Sequence, residues 1–313
     1  MMPDTAALAP LCRRLVGIVS SQNTPFAADG AVDLAAVTRQ TKASVAAGVA
    51  GLLILAVASE NRSLSIDERR QIGTRVIETV RGRIPIVAAV SAPDIETAVT
   101  LTRDAVAIGA DAVCYQAPAG LDRTALGDQL ARIADCGPGL IMLQDLDFTG
   151  PGLSIADIEW LYARQPLLRA IKVESAGPGP KYSDLLREFG GALHVSGGWA
   201  VMQMIEALER GVHAFMPTAM DHIYVAIHRR FAAGDRDGAE ALFEQLLPFV
   251  AFSNQNIEVS IRFFKRLRLL DGSFATDDCR SPTAVLDPYR QATLDRLAPR
   301  AVALDRAMAR AAR

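Results

Sequence analysis

Eight short runs of Val, Ile, Leu and Ala recur along this chain: VGIVSS from residue 16, GLLILAV from 51, IPIVAAV from 84, ADAVCYQ from 110, GLIMLQD from 139, LRAIKVE from 168, ALHVSGG from 192 and VHAFMPT from 212. Each run is continuous rather than alternating, the pattern of a strand buried on both faces in a parallel sheet. Between the runs lie helical patterns with readable ends. Asp33 caps a helix that stops near Gly48, and Ser65 with Glu68 and Ser154 with Asp157 have capping-box spacing. Ser183 opens another helix, closed by Gly190 and Gly191. Strand and helix therefore alternate eight times over residues 14 to 235. That rhythm predicts an α/β chain folded as a (β/α)8 TIM barrel. A doubly wound open sheet is the competing architecture, but the first strand runs into SSQNTPFAADG and not into a glycine-rich phosphate loop.

From residue 236 to 313 only helical patterns appear, so the expected organisation is a barrel over 1–235 and a C-terminal helical extension over 236–313. Half of the 313 residues are hydrophobic and the formal net charge is −2. A near-neutral chain lacks the basic field that nucleic acid or an anionic membrane surface requires, so neither is expected as a partner. No apolar run spans a bilayer and no leader pattern is visible, which points to a cytoplasmic protein. Cys12, Cys114, Cys136 and Cys279 have no CxxC spacing and read as small buried hydrophobes. The four histidines, His194, His213, His222 and His228, form no metal-binding spacing.

A barrel of this kind builds its site at the C-terminal ends of the strands. That rule singles out Ser59 and Glu60 after the second strand, Gln144, Asp145 and Asp147 after the fifth, Lys172 and Glu174 on the sixth, and Ser196, Gly197 and Gly198 on the seventh. Lys172 and Glu174 are two residues apart, so both side chains share one face of a strand. Burial disfavours a charged ammonium, and a free amine can attack a carbonyl to form a Schiff base. The structural alternatives are a plain Lys172–Glu174 ion pair or a lysine that snorkels out of the barrel mouth.

TPF at 24–26, ASE at 58–60 before LSIDER, GADAV at 109–113, LRAIKVES at 168–175 and SGG at 196–198 together resemble the dihydrodipicolinate synthase and N-acetylneuraminate lyase family. The resemblance covers most of the chain. It implies a (β/α)8 barrel, a homo-oligomer (tetramer or dimer), no cofactor, and class I aldolase-type chemistry in which Lys172 forms a Schiff base with pyruvate or another 2-oxo acid. Several departures stand out. Where the family has Gly-Thr-Thr-Gly-Glu after strand two, this chain has Ala56, Val57, Ala58, Ser59 and Glu60, leaving the backbone at Ala58 and Ser59 and the Ser59 hydroxyl to receive a carboxylate. Gln144 occupies the place of the proton-relaying tyrosine, and an amide is neither acid nor base. Proton transfer then falls to Asp145, Asp147 or Glu174, or to a water held by Gln144. The family's arginine for a second carboxylate has no counterpart, since Phe148 precedes Thr149 and Gly150, and APAG at 117–120 lacks an aromatic pair.

The expected catalytic set is thus Lys172, Gln144, Asp145 and Glu174, and the expected substrate contacts are Ala58, Ser59, Phe148, Ser196, Gly197 and Met216, with Val57 and Trp199 as further wall candidates. Lys181 and the Asn254, Gln255 and Asn256 cluster can reach the barrel mouth, but a solvated loop is the preferred reading. These expectations describe a lyase for a 2-oxo acid other than the efficient lysine-pathway synthase. The alternatives are a true synthase with an altered proton relay, a metal-dependent pyruvate aldolase holding Mg²⁺ or Mn²⁺ on Asp145, Asp147 and Glu174, and a binding-only barrel.

Overall fold

The computed structural model describes residues 5–280 and 286–311. A short helix, α1 (Pro10–Arg14), precedes eight parallel strands that close in chain order: β1 (Gly17–Ser21), β2 (Gly51–Ile54), β3 (Ile86–Ala89), β4 (Ala112–Gln116), β5 (Ile141–Asp147), β6 (Leu168–Ser175), β7 (His194–Gly197) and β8 (Ala214–Phe215), which pairs back onto β1. The crossovers carry α2 (Leu34–Ala47), α3 (Ile66–Val80), α4 (Ile95–Ile108), α5 (Arg123–Ala134), α6 (Ile155–Arg164), α7 (Pro178–Glu188) and α8 (Met204–Arg210). After β8 come α9 (Asp221–Ala232), α10 (Arg236–Ser253), α11 (Ile257–Asp271) and α12 (Pro288–Ala311).

The helix starts follow the chemistry of their caps. The Asp33 carboxylate accepts from Ala36 N at 2.9 Å, and Ser65 and Glu68 complete a reciprocal capping box. One start differs from expectation: Ser183 lies inside α7, which begins at Pro178 after Gly177. Proline is preorganised for a first helical turn and outcompetes the serine as a start signal.

Strand parity decides what lies inside the barrel. Val19, Leu53, Val87, Cys114, Met142, Ala170 and Ala214 pack into one inner cluster, closed below by Leu8, Cys12 and Leu15 around α1. Ile18, Leu52, Ile86, Val113, Leu143, Ile171 and Val195 belong to the outer cluster with the helices. Burying each such side chain is worth about 1.5–3 kcal/mol. Continuing the inner parity upward on β6 gives Ala170, then Lys172, then Glu174; on β5 it gives Met142, Gln144 and Leu146.

The C-terminal helices join the outer core through Leu246, Phe249, Phe263 and Leu267. They are also fastened to the top of the barrel by charge. Lys265 of α11, fully buried, pairs with Glu60 just beyond the turn after β2, and stands 4.2 Å from the centre of the Phe26 ring. The Arg280 guanidinium lies 4.4 Å from that ring and is hydrogen-bonded to Glu68, while the Arg280 backbone N–H donates to Glu60. Arg280 holds the Glu68 carboxyl down at about 2.

Candidate active site

Lys172 and Glu174 project into the upper barrel from β6, each about 6% exposed. Lys172 Nζ donates to Glu174 Oε2 at 2.7 Å, and Gln144 Nε2 donates to the same oxygen from β5. Register explains the convergence, because Gln144, Lys172 and Ser196 are direct partners across β5, β6 and β7. The carboxylate therefore bridges the amine and the amide. Gly198 packs against this pair: a Cβ there would collide with Glu174 Oε1 and lie 2.7 Å from Lys172 Cε. Only glycine leaves the room that the two side chains occupy. Below them, burial pushes the Cys114 thiol up to about 12, so it is a neutral packing group.

A cleft opens above the pair, lined by Ala58, Gln144, Phe148, Lys172, Glu174 and Met216 among others. Phe148 is 46% exposed at its rim. Among the described lining residues Lys172 is the one cation and Glu174 the one carboxylate. Several further lining groups were not legible as such in the sequence: Ser21 of β1, Thr218, Tyr224 of α9 and Ser260. Burial pushes the Tyr224 phenol up, with Asp221 adding to the effect, so it stays protonated. Asn254 was expected in a solvated loop, but α10 and α11 fold over the barrel mouth and bring their junction into the cleft.

Four expected site residues are placed elsewhere. Asp145 has the outward parity of β5, and its carboxylate pairs with Lys181 of α7 and accepts from Leu153 N at 2.9 Å. It is an anchor for the loop after β5 rather than a partner of Lys172. Lys181 likewise leaves its expected solvated position and donates to Pro151 O at 2.6 Å. Ser59 spends its hydroxyl on Gln22 O at 2.6 Å and its N–H on Ala56 O at 2.9 Å, within a 3₁₀ turn over Val57–Ser59. Ser196 turns its hydroxyl onto Ile171 O at 3.0 Å, and the Gly197 carbonyl accepts from Met216 N. The Trp199 side chain lies outside the described residues.

The carboxylates of the metal-dependent alternative do not converge. Glu174 faces Lys172, Asp145 faces Lys181, and Asp147 accepts from Thr149, Gly150 and Gly152 N–H groups in its own loop. Those amides, Gly152 first, lower the Asp147 carboxyl. No group of three or more metal-ligating side chains occurs among the described residues.

A closed barrel with a lysine, a carboxylate and an amide on neighbouring strands is the arrangement in which comparison with known proteins becomes informative. A family model described as the dihydrodipicolinate synthetase family matches residues 14–300. The chain belongs to the dihydrodipicolinate synthetase family. Membership makes it a lyase of the class I aldolase type. It is 30% identical to a 4-hydroxy-tetrahydrodipicolinate synthase of Sorangium cellulosum over 243 residues, covering 74% of this chain and 79% of that one. It is 28% identical to an L-2-keto-3-deoxyarabonate dehydratase of Azospirillum brasilense over 295 residues, covering 91% and 94%. Solved structures with the same fold include a dihydrodipicolinate synthase from Rhodopseudomonas palustris (TM-score 0.83, 21% identity, 96% of this chain and 100% of that one). The Ruminococcus gnavus sialic acid aldolase also shares it (TM-score 0.84, 16% identity, 94% and 99%). No helix among the described residues is long and apolar enough to cross a membrane.

Proposed function

We propose that this protein is a Schiff-base lyase for a 2-oxo acid in which Lys172 is the nucleophile and Glu174 moves the protons. The observation that carries the reading is the shared Glu174 Oε2, 2.7 Å from Lys172 Nζ and held by Gln144. The Lys172 amine adds to the C2 carbonyl, and loss of water from the adduct gives an iminium. The iminium acidifies C3–H, and Glu174, the one lining carboxylate among the described residues, takes that proton. The resulting enamine can expel a hydroxyl from C4, with Glu174 returning the proton so that water departs. In the retro-aldol direction the iminium instead takes up the electrons of the C3–C4 bond to become the enamine, Glu174 takes the proton of the C4 hydroxyl, and C4 leaves as an aldehyde. Gln144 cannot transfer a proton, but its amide fixes the carboxylate beside the reacting carbons.

Two further features support a substrate other than that of the lysine pathway. No second cation lines the cleft among the described residues to meet a second carboxylate, and Phe148 occupies its rim. One relative that spans 91% of the chain is named a dehydratase, which fits elimination of water as the reaction. The protein is taken to act as a cytoplasmic homo-oligomer, which light scattering on the purified chain would check. The decisive experiment is borohydride reduction in the presence of pyruvate or a 3-deoxy-2-oxo acid, read by intact mass and peptide mapping. A reduced adduct on Lys172 that disappears in Lys172→Ala supports the reading. An unmodified wild type, or activity abolished by chelator, overturns it.

A further inference from the structure

Register places the carbons that lie beyond the imine. Gln144 pairs with Lys172 across β5 and β6, and the next inward pair is Leu146 with Glu174. Neighbouring strands lie about 4.8 Å apart and two residues advance a strand by about 6.6 Å, so Glu174 stands one layer above the amine with Leu146 beside it. In the proposed reaction Glu174 serves both C3–H and the C4 hydroxyl. C4 therefore lies in the layer of Glu174 and Leu146, and whatever C4 carries extends toward the rim. Phe148, the next residue of inward parity beyond β5, lines the cleft there and is 46% exposed. On the other flank of β6, Gly198 and Val201 beyond β7 line the same sector. The polar groups of the loop after β5 are engaged with one another. Asp147 accepts from the Thr149, Gly150 and Gly152 N–H groups, and the Thr149 hydroxyl donates to Asp147 at 3.2 Å. The Ala176 N–H donates to the Asp147 and Gly150 carbonyls, which fastens the loop that carries Phe148 to the end of β6. The other polar lining groups come from other elements: Ser21 ends β1, Thr218 follows β8, Tyr224 lies on α9, Asn254 follows α10 and Ser260 lies on α11.

We propose that the substrate is a 4-hydroxy-2-oxo acid whose C4 carries an apolar group, seated against Leu146 and Phe148. The inference rests on the Schiff-base reading and names its substrate class. A hydroxylated tail laid on Leu146, Phe148 and Val201 loses hydrogen bonds to water without replacement, whereas an apolar tail gains by leaving water and covers the exposed Phe148 ring. Retro-aldol cleavage of such an acid releases pyruvate and an apolar aldehyde: the C4 hydroxyl proton passes to Glu174, the C3–C4 bond breaks, and C3 of the enamine regains the proton. Dehydration instead releases water and leaves a 2-oxo-3-enoic acid.

The test measures kcat/KM, by loss of substrate, for 4-hydroxy-2-oxo acids carrying methyl, ethyl and propyl groups at C4. Borohydride trapping of pyruvate is run beside it, because pyruvate has no C4. From methyl to propyl the value is expected to rise about 4-fold per methylene. A 1-methylpropyl group is expected to outperform the dihydroxyethyl group of the same size about 10- to 100-fold. Phe148→Ser is expected to flatten the series, and Phe148→Leu to retain most of it. The inference is overturned by a series that is flat in the wild type, by one that stays as steep in Phe148→Ser, or by a dihydroxyethyl substrate turned over as well as its 1-methylpropyl counterpart. With pyruvate still trapped on Lys172, any of these leaves the Schiff-base reading standing alone. Absence of a pyruvate adduct overturns that reading itself, and the inference falls with it.

Discussion

Removing the Lys265 charge tests how the helical extension is fixed to the barrel. Lys265 and Glu60 are both fully shielded and paired with each other. In Lys265→Met the Glu60 carboxylate loses its ammonium partner and keeps the Arg280 N–H at 2.8 Å. Breaking a buried pair from one side costs about 3–5 kcal/mol, because a buried charge loses its counter-ion. Unfolding entropy of about 2.1 cal/mol/K per residue gives roughly 0.66 kcal/mol/K for a chain of this length. The expected loss in Tm is therefore about 5–8 °C. Glu60→Gln should cost a similar amount, since among the described residues Lys265 then keeps only the Asp278 carbonyl and the Phe26 ring. The double variant Glu60→Gln/Lys265→Met buries no charge and keeps an acceptor for Arg280 N–H, so it should recover part of the loss. Calorimetry of the four proteins measures the cycle. Single variants within 2 °C of wild type (less than about 1.5 kcal/mol by the same conversion), or a double variant that loses the sum of both, would refute the argument.

Three further outcomes are expected. Glu174→Gln keeps the size and the hydrogen-bonding capacity of the group that bridges Lys172 and Gln144, so the lysine adduct should still form while turnover falls about 10²- to 10⁴-fold; a turnover within a few-fold of wild type would remove Glu174 from the proton path. Gly198→Ala should push Glu174 and Lys172 apart, costing about 1–3 kcal/mol of stability and slowing adduct formation, seen as a lower trapping rate at saturating pyruvate. His194 is fully buried and stacked on His213 at 5.3 Å, and burial first, then His213, pushes it down to about 3. A base depressed below its unfolded value near 6.5 contributes stability that is complete above that pH and is lost as the pH falls toward 3. Thermal unfolding of His194→Leu should consequently show a flatter dependence than wild type across that window.

The rhythm of apolar runs and caps determined the barrel, because strands buried on both faces and helices with defined starts leave few topologies open. The two-residue spacing of Lys172 and Glu174 likewise determined that they share a face, since side chains on a strand alternate strictly. The family motifs placed Gln144 beside them before any register was known. Parity was a different matter. Where both faces of a strand are apolar, the sequence does not say which face looks into the barrel, so Asp145 stayed a candidate until β5 paired with β6 and turned it toward Lys181. The hydroxyls of Ser59 and Ser196 were undecided for a related reason: a hydroxyl takes the nearest free carbonyl, and here Gln22 and Ile171 supply one. Only the tertiary structure brought Asn254 and Ser260 to the cleft and Lys265 to Glu60. Those contacts join the end of the chain to its beginning, and they depend on the path of α10 and α11 over the barrel, which no local pattern of residues encodes.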